Sequence, residues 1–273
     1  MVTTLRLLYF LVLSLSLRPQ QASAADPELA AAKPEVTAAK PELASVDVTA
    51  ILAKIDANLT YEGRTSQITM TVVTARRTRV YKMRTHGRGQ TEAAVEYLAP
   101  ARDKGTRLLK QDKELWLYMP TIERTQKISG HMLRQGMMGS DVSYEDMMNA
   151  QSFLDLYEVA LLGEETLGER SCWKLSLTAR DDSISYPTRT AWVDKGTFIP
   201  IKQELFALSG MLLKTWSMTE VQTFADGRRF PTRMELTDEL KKGSKTTIEL
   251  TELVFKLPSN EQVFSRRWLE RGL

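Results

Sequence analysis

From Tyr61 onward, apolar residues recur at every second position in short segments. Ile68, Met70 and Val72 alternate with Thr69 and Thr71; Met234, Leu236 and Leu240 with Arg233, Glu235, Thr237 and Glu239; Ile248 and Leu250 with Thr247, Glu249 and Thr251. A period of two sends successive side chains to opposite faces, so these segments read as strands with one dry and one wet face. Turn-forming residues divide them: Gly87-Arg88-Gly89, Arg102-Asp103-Lys104-Gly105, Gln111-Asp112-Lys113, Asp194-Lys195-Gly196, Asp226-Gly227 and Lys241-Lys242-Gly243-Ser244. Short turns between such strands predict an antiparallel sheet, and roughly ten strands in one domain would curl strongly or close. The expected fold is therefore mainly β, a curled antiparallel sheet or incomplete β-barrel. A short N-terminal helix should precede it, capped by Asp47 and carrying Ile51, Leu52, Ile55 and Leu59 on one side.

Cys172 is the single cysteine, so no intrachain disulfide framework can support the sheet and an apolar core must hold it. Roughly 230 residues suffice for that in one domain. The domain is read as 46–273. Ahead of it, Arg6 and the uncharged run Leu7 to Leu17 lead to Ala22-Ser23-Ala24, the layout of a secretory signal peptide over 1–24, cleaved near Ala24/Ala25. The apolar run is eleven residues, whereas a spanning helix needs about 20. No cysteine follows it, so a lipid-anchored N-terminus is not expected. Residues 25–45 repeat "PE" three times among alanines. Such a segment buries too little apolar surface to offset the entropy of ordering and reads as a disordered tether.

Formal charge is +3, and removing Arg6 and Arg18 leaves about +1 (3 − 2). This is no nucleic-acid polycation. No Gly-x-Ser-x-Gly elbow, His-Glu-x-x-His, Walker loop or dinucleotide fingerprint occurs. His86 and His131 stand in polar, turn-like contexts, and Cys172 shares its phase with Lys174 and Ser176, which suggests the less buried face of a strand. Nothing here predicts an enzyme, a metal site or a cofactor.

Glu114 to Met119, "ELWLYM", breaks the alternation: Leu115, Leu117 and Met119 oppose Trp116 and Tyr118. Both faces need cover, one from the sheet's interior and the other from a helix or lid. About a dozen residues later comes "GHMLRQGMMGSDVSYEDMMNA", which holds five of twelve methionines. Ser143-Tyr144-Glu145-Asp146 fits a capping box, and a helix starting there groups Tyr144 with Met147 and Met148. Gly136 and Gly139 hinge the stretch bearing Met132, Leu133, Met137 and Met138. Two readings stay open: a plug at the end of the barrel, and a binding lid that uses the adaptability of thioethers.

"ELWLYMPTIERTQKI" followed by "GSDVSYEDM" resembles the signature of the LolA-like outer-membrane lipoprotein-sorting family. The residues are Leu115 to Pro120, Arg124, Lys127-Ile128, Gly139-Ser140-Asp141 and Ser143 to Asp146, with Trp192-Val193-Asp194, Ile199-Pro200 and the closing "FSRRWLERG" in support. The likeness runs from about Val48 to Leu273, and Val142 stands where the family shows an aromatic. This resemblance implies an incomplete barrel closed by helices, a hollow that holds acyl chains, and a periplasmic carrier of lipid or lipoprotein. Trp116, Tyr118, Met119, Met132, Leu133, Met137, Met138, Tyr144, Met147 and Met148 are then candidates for the cavity and its lid. Arg124, Lys127 and Arg134 are candidates for an anionic head group, against the alternative of ordinary solvated charges. The implied partners are acyl chains, an inner-membrane transporter of the resistance-nodulation-division class and an outer-membrane acceptor. A lipid-sensing regulatory module and an accessory transporter subunit are the competing functions.

Overall fold

The computed structural model describes residues 46–148, 156–182 and 184–272. The expected signal peptide and tether lie outside them. Among the described residues, thirteen strands form one antiparallel sheet that does not close into a barrel. In chain order they are β1 (Gly63–Val73), β2 (Thr78–Arg88), β3 (Glu92–Ala99), β4 (Arg107–Gln111), β5 (Glu114–Met119), β6 (Arg124–Ile128), β7 (Tyr157–Leu167), β8 (Arg170–Ala179), β9 (Thr188–Asp194), β10 (Pro200–Phe206), β11 (Leu212–Thr223), β12 (Arg229–Asp238) and β13 (Lys245–Val254). Their order across the sheet is β6-β5-β4-β3-β2-β1-β13-β12-β11-β10-β9-β8-β7.

That order has a consequence for the methionine-rich segment. β6 and β7, the two edges, are consecutive in sequence but do not pair. The chain between them must bridge from one edge to the other, and it carries Met132 to Met148.

Among the described residues three short α-helices accompany the sheet: α1 (Val48–Leu59), α2 (Tyr144–Met148) and α3 (Arg266–Arg271). Asp47 Oδ1 accepts the Ala50 N–H at 3.1 Å and so caps α1. Ile51, Leu52 and Ile55 of α1 bury against Tyr157, Leu175, Leu177 and Val193 of β7, β8 and β9. The Ser143 capping box at α2 closes in both directions: Asp146 N–H donates to Ser143 Oγ at 3.1 Å, and Ser143 N–H donates to Asp146 Oδ2 at 2.8 Å. Ser265 caps α3 by accepting the Trp268 N–H at 3.1 Å.

Several sequence expectations need correction. β2 runs through Gly87, and the turn falls just after it, where Gly89 takes φ 54°. Leu240 lies beyond the end of β12 at a hairpin tip, 60% exposed. Cys172 is fully buried, because Trp192, Ile199 and Ile201 pack around it. His86 lies within β2 rather than in a turn, with its Nδ1 3.1 Å from Thr65 Oγ1.

Candidate functional site

Strand parity determines what faces the hollow. In β1 the inward phase is Arg64, Ser66, Ile68, Met70 and Val72; across the ladder it meets Gly87, Thr85, Met83 and Tyr81 of β2. The next strands continue these rows. Gly87 faces Ala93 and then Lys110; Thr85 faces Val95, Leu108 and Leu117; Met83 faces Tyr97. Side chains in one row share a face. The rows therefore grade from polar at one end, Arg64 and Lys110, through the hydrogen-bonded Ser66–Thr85 pair (2.7 Å), to the apolar Ile68, Met70, Met83 and Tyr97.

A cavity of about 210 Å³ occupies this region, lined by apolar residues that include Met70, Met83, Val95, Leu108 and Ile248, with Tyr61, Arg64, Gln90 and Lys110 at its polar end. It exceeds the ~150 Å³ engineered void that stays dry and binds benzene, but falls short of the ~300–1,000 Å³ usual for drug-sized ligands. A longer occupant would have to displace side chains, and those most easily displaced are methionines.

The bridging segment forms the cover. After β6 it makes two short 3₁₀ turns, Gly130–Arg134 and Met137–Gly139, then α2. Residues 136–143 fold back on themselves: Met137 N–H donates to Val142 C=O at 2.8 Å, and Tyr144 N–H to Gln135 C=O at 3.1 Å. Gly136 is required here, since a Cβ would meet the Ser140 carbonyl at 2.0 Å. Met138 takes φ 50°, an uncommon conformation for an unbranched apolar residue, and its carbonyl accepts from Tyr81 Oη at 3.2 Å.

Polar contacts hold the cover at three places. Asp141, buried, accepts from Ser244 Oγ at 2.5 Å and Thr246 Oγ1 at 2.9 Å, which ties the loop to the start of β13. Asp146 pairs with Lys214 Nζ at 2.7 Å and accepts from Tyr186 Oη at 3.1 Å. At the far end of α2, Lys110 Nζ donates to Met148 C=O at 2.9 Å and to Gln90 C=O at 2.6 Å. Burial pushes the Lys110 ammonium below its ordinary range. Between these ties the cover meets the sheet through methionines that are only half buried.

The structure distributes the sequence candidates unevenly. Met137 and Met147 line the cavity. Met119, Met132, Leu133, Met138, Tyr144 and Met148 belong to the same apolar cluster beneath the cover. Trp116 and Tyr118 do not: their parity turns them to the outer face, where they pack with Phe264, Trp268 and Leu269 of the closing segment. The helix expected over one side of β5 is thus α3, and it covers the face away from the hollow. Lys127 also points outward, over the Trp116 ring at 5.4 Å and paired with Glu114. Arg124 and Arg134 are exposed, and neither lines the cavity. The cations at the polar end, Arg64 and Lys110, were missed. Each had a readable signal, because Arg64 shares the phase of Ile68, Met70 and Val72, and Lys110 that of Leu108. His86 has the opposite parity to Gly87, and burial lowers its pKa on the outer face beside Arg84.

Among the described residues no group of three or more His, Cys, Asp or Glu is placed to hold a metal ion, and no helix is long and apolar enough to cross a membrane.

Residues 89–271 match a protein-family model described as that of an uncharacterized protein. No curated protein matches the sequence. Solved structures are similar over most of the chain. A DUF1329 family protein from Desulfovibrio piger has a TM-score of 0.74 at 22% identity, with 81% of this chain and 96% of that chain covered. A putative outer membrane lipoprotein-sorting protein domain from Vibrio parahaemolyticus has a TM-score of 0.73 at 22% identity, with 81% and 97% covered. A LolA superfamily protein from Nitrosomonas europaea has a TM-score of 0.69 at 23% identity, with 82% and 100% covered. At these identities the likeness establishes the fold. The chain belongs to the uncharacterized family whose model spans residues 89–271, and its fold is that of the LolA-like outer-membrane lipoprotein-sorting proteins.

Proposed function

We propose that the protein is an exported carrier that shields the acyl chains of a lipid or lipoprotein in the hollow of its sheet. The observation that carries this reading is the apolar cavity beneath a methionine-rich bridge between two unpaired sheet edges. Such a hollow suits a flexible hydrocarbon chain, and the bridge is a cover whose side chains repack at small cost. The fold shared with a lipoprotein-sorting protein domain supports the same reading.

Burying a methylene gains about 0.8 kcal/mol, so a dozen would give roughly 10 kcal/mol relative to water. A bilayer offers nearly the same gain, and net transfer turns on small differences such as the cost of loosening the cover. The carrier would act in the periplasm, between an inner-membrane source and an outer-membrane acceptor.

Mass spectrometry of the protein purified from its own cell envelope should detect bound lipid. The delipidated protein should take up a fluorescent fatty-acyl probe. Absence of both lipid and uptake would overturn the reading.

A further inference from the structure

The polar end of the cavity has a composition that an acyl pocket alone does not need. Arg64, Gly87, Ala93 and Lys110 stand in one row across β1, β2, β3 and β4. Two long cations therefore flank two of the smallest side chains, with three strand spacings, roughly 14 Å on a flat sheet, between their Cα atoms. Gly87 leaves room for Tyr61: a Cβ there would lie 3.0 Å from the phenol ring and its hydroxyl.

Neither cation is in ion-pair contact among the described residues, and the Asp112 carboxylate acts on Lys110 only from further away. Lys110 is 4% exposed, and its ammonium donates to two backbone carbonyls. Arg64 stacks over the Tyr61 ring at 4.9 Å, and its Nε is buried without a hydrogen-bond partner. Glu92, at the rim, is held by Arg88, which also pairs with Glu261. Among the described residues no carboxylate forms an ion pair with Arg64 or Lys110. A buried, unpaired cation is costly, and so is a buried donor without an acceptor. An anion bound between Arg64 and Lys110 would relieve both costs. The apolar rows of Ile68, Met70, Met83 and Tyr97 lie further along the same face.

We infer that Arg64 and Lys110, with the Tyr61 hydroxyl, form a head-group site for an anionic amphiphile, a carboxylate or phosphate whose hydrocarbon tail lies along the apolar rows. This rests on the carrier reading and narrows its cargo.

The test uses delipidated full-length protein and three probes with twelve-carbon chains, dodecanoate, dodecyl phosphate and monododecanoyl glycerol, in titration calorimetry. The two anions should bind roughly ten- to a hundredfold more tightly than the uncharged glyceride, as charge-assisted hydrogen bonds would give. Their ranking tells a fatty-acid carboxylate from a phosphate head group. Lys110→Met and Arg64→Met should each lower the ratio of anion to glyceride affinity about tenfold, and Lys110→Arg should retain it. Equal binding of all three probes to the unmodified protein would overturn the head-group site and leave the carrier standing. Binding of none would sink both. The probe ranking decides the matter without any variant, so a Lys110→Met protein that fails to fold does not protect the inference.

Discussion

The two faces of β5 are covered in opposite ways. On the outer face Phe264, Trp268 and Leu269 are buried to 3%, 4% and 0% exposure. Backbone carbonyls of that segment are clamped by side chains of β4: Arg107 Nη1 to Leu269 at 3.2 Å and Gln111 Nε2 to Phe264 at 3.0 Å. Arg266 closes over the Trp116 ring at 3.4 Å. On the inner face the cover is built of methionines that stay half buried above a cavity and is tied down by polar groups along its length. Rigid aromatics with matched partners make a wall, whereas thioethers over a void make a cover that can give way. The same six-residue strand, "ELWLYM", serves both.

If the outer cover is a wall, damaging it should cost stability and spare binding. Trp268→Ala should lose about 4 kcal/mol, the range for a buried aromatic truncated to a cavity. Urea denaturation measures the loss, and acyl-probe affinity of the folded fraction should be unchanged. A variant with normal stability would remove the wall. The inner cover should behave differently at its anchors. Asp146→Ala leaves the Lys214 ammonium without its carboxylate, both groups being about nine-tenths buried, and should cost about 3 kcal/mol. Unlike Trp268→Ala, it should also speed release of a bound probe in stopped-flow exchange. Unaltered release would mean that this contact does not restrain the cover.

How much of this contrast could be read from the chain follows from range. Local rules worked: the Asp47 cap, the Ser143–Asp146 box and the alternation of β1 all reappear. That both faces of β5 need cover was also legible, since Leu115 and Trp116 are both large and apolar. Which segment covers which face was not, because α3 is some 150 residues away and its docking depends on strand order. The same nonlocality buried Cys172: its phase among Lys174 and Ser176 was read correctly, but Trp192 comes from the neighbouring strand. Arg64 and Lys110 were legible in principle as cations on an apolar phase, yet that phase is only meaningful once β1 to β4 are known to pair in register.

Changing Met137 and Met138 together to Asp tests the inner cover without touching its anchors. Both side chains are half buried, and Met138 already holds φ 50°, which Asp accepts more readily than Met. Unfolding free energy should move by about 1 kcal/mol or less. Affinity for a fatty-acyl probe should fall roughly tenfold or more, because carboxylates would border the hydrocarbon. Should the double variant unfold instead, the segment is a plug like the outer wall, and the contrast between the two faces disappears.

The smallest effect belongs to Lys127, a charge near the inner cover in sequence but on the wall side in space. Its ammonium pairs with Glu114 across β5 and β6, with both side chains about half exposed, and rests 5.4 Å from the centre of the Trp116 ring. Exposed pairs are screened by solvent and salt and contribute little. Lys127→Ala should therefore leave the denaturation midpoint within error and leave anionic-probe affinity unchanged. Lys110→Met, from an inward position, should weaken anion binding while Lys127→Ala does not, although both remove one positive charge. If the two variants weakened anion binding equally, long-range charge rather than strand parity would govern the cavity, and the two faces of β5 would no longer be separate in function.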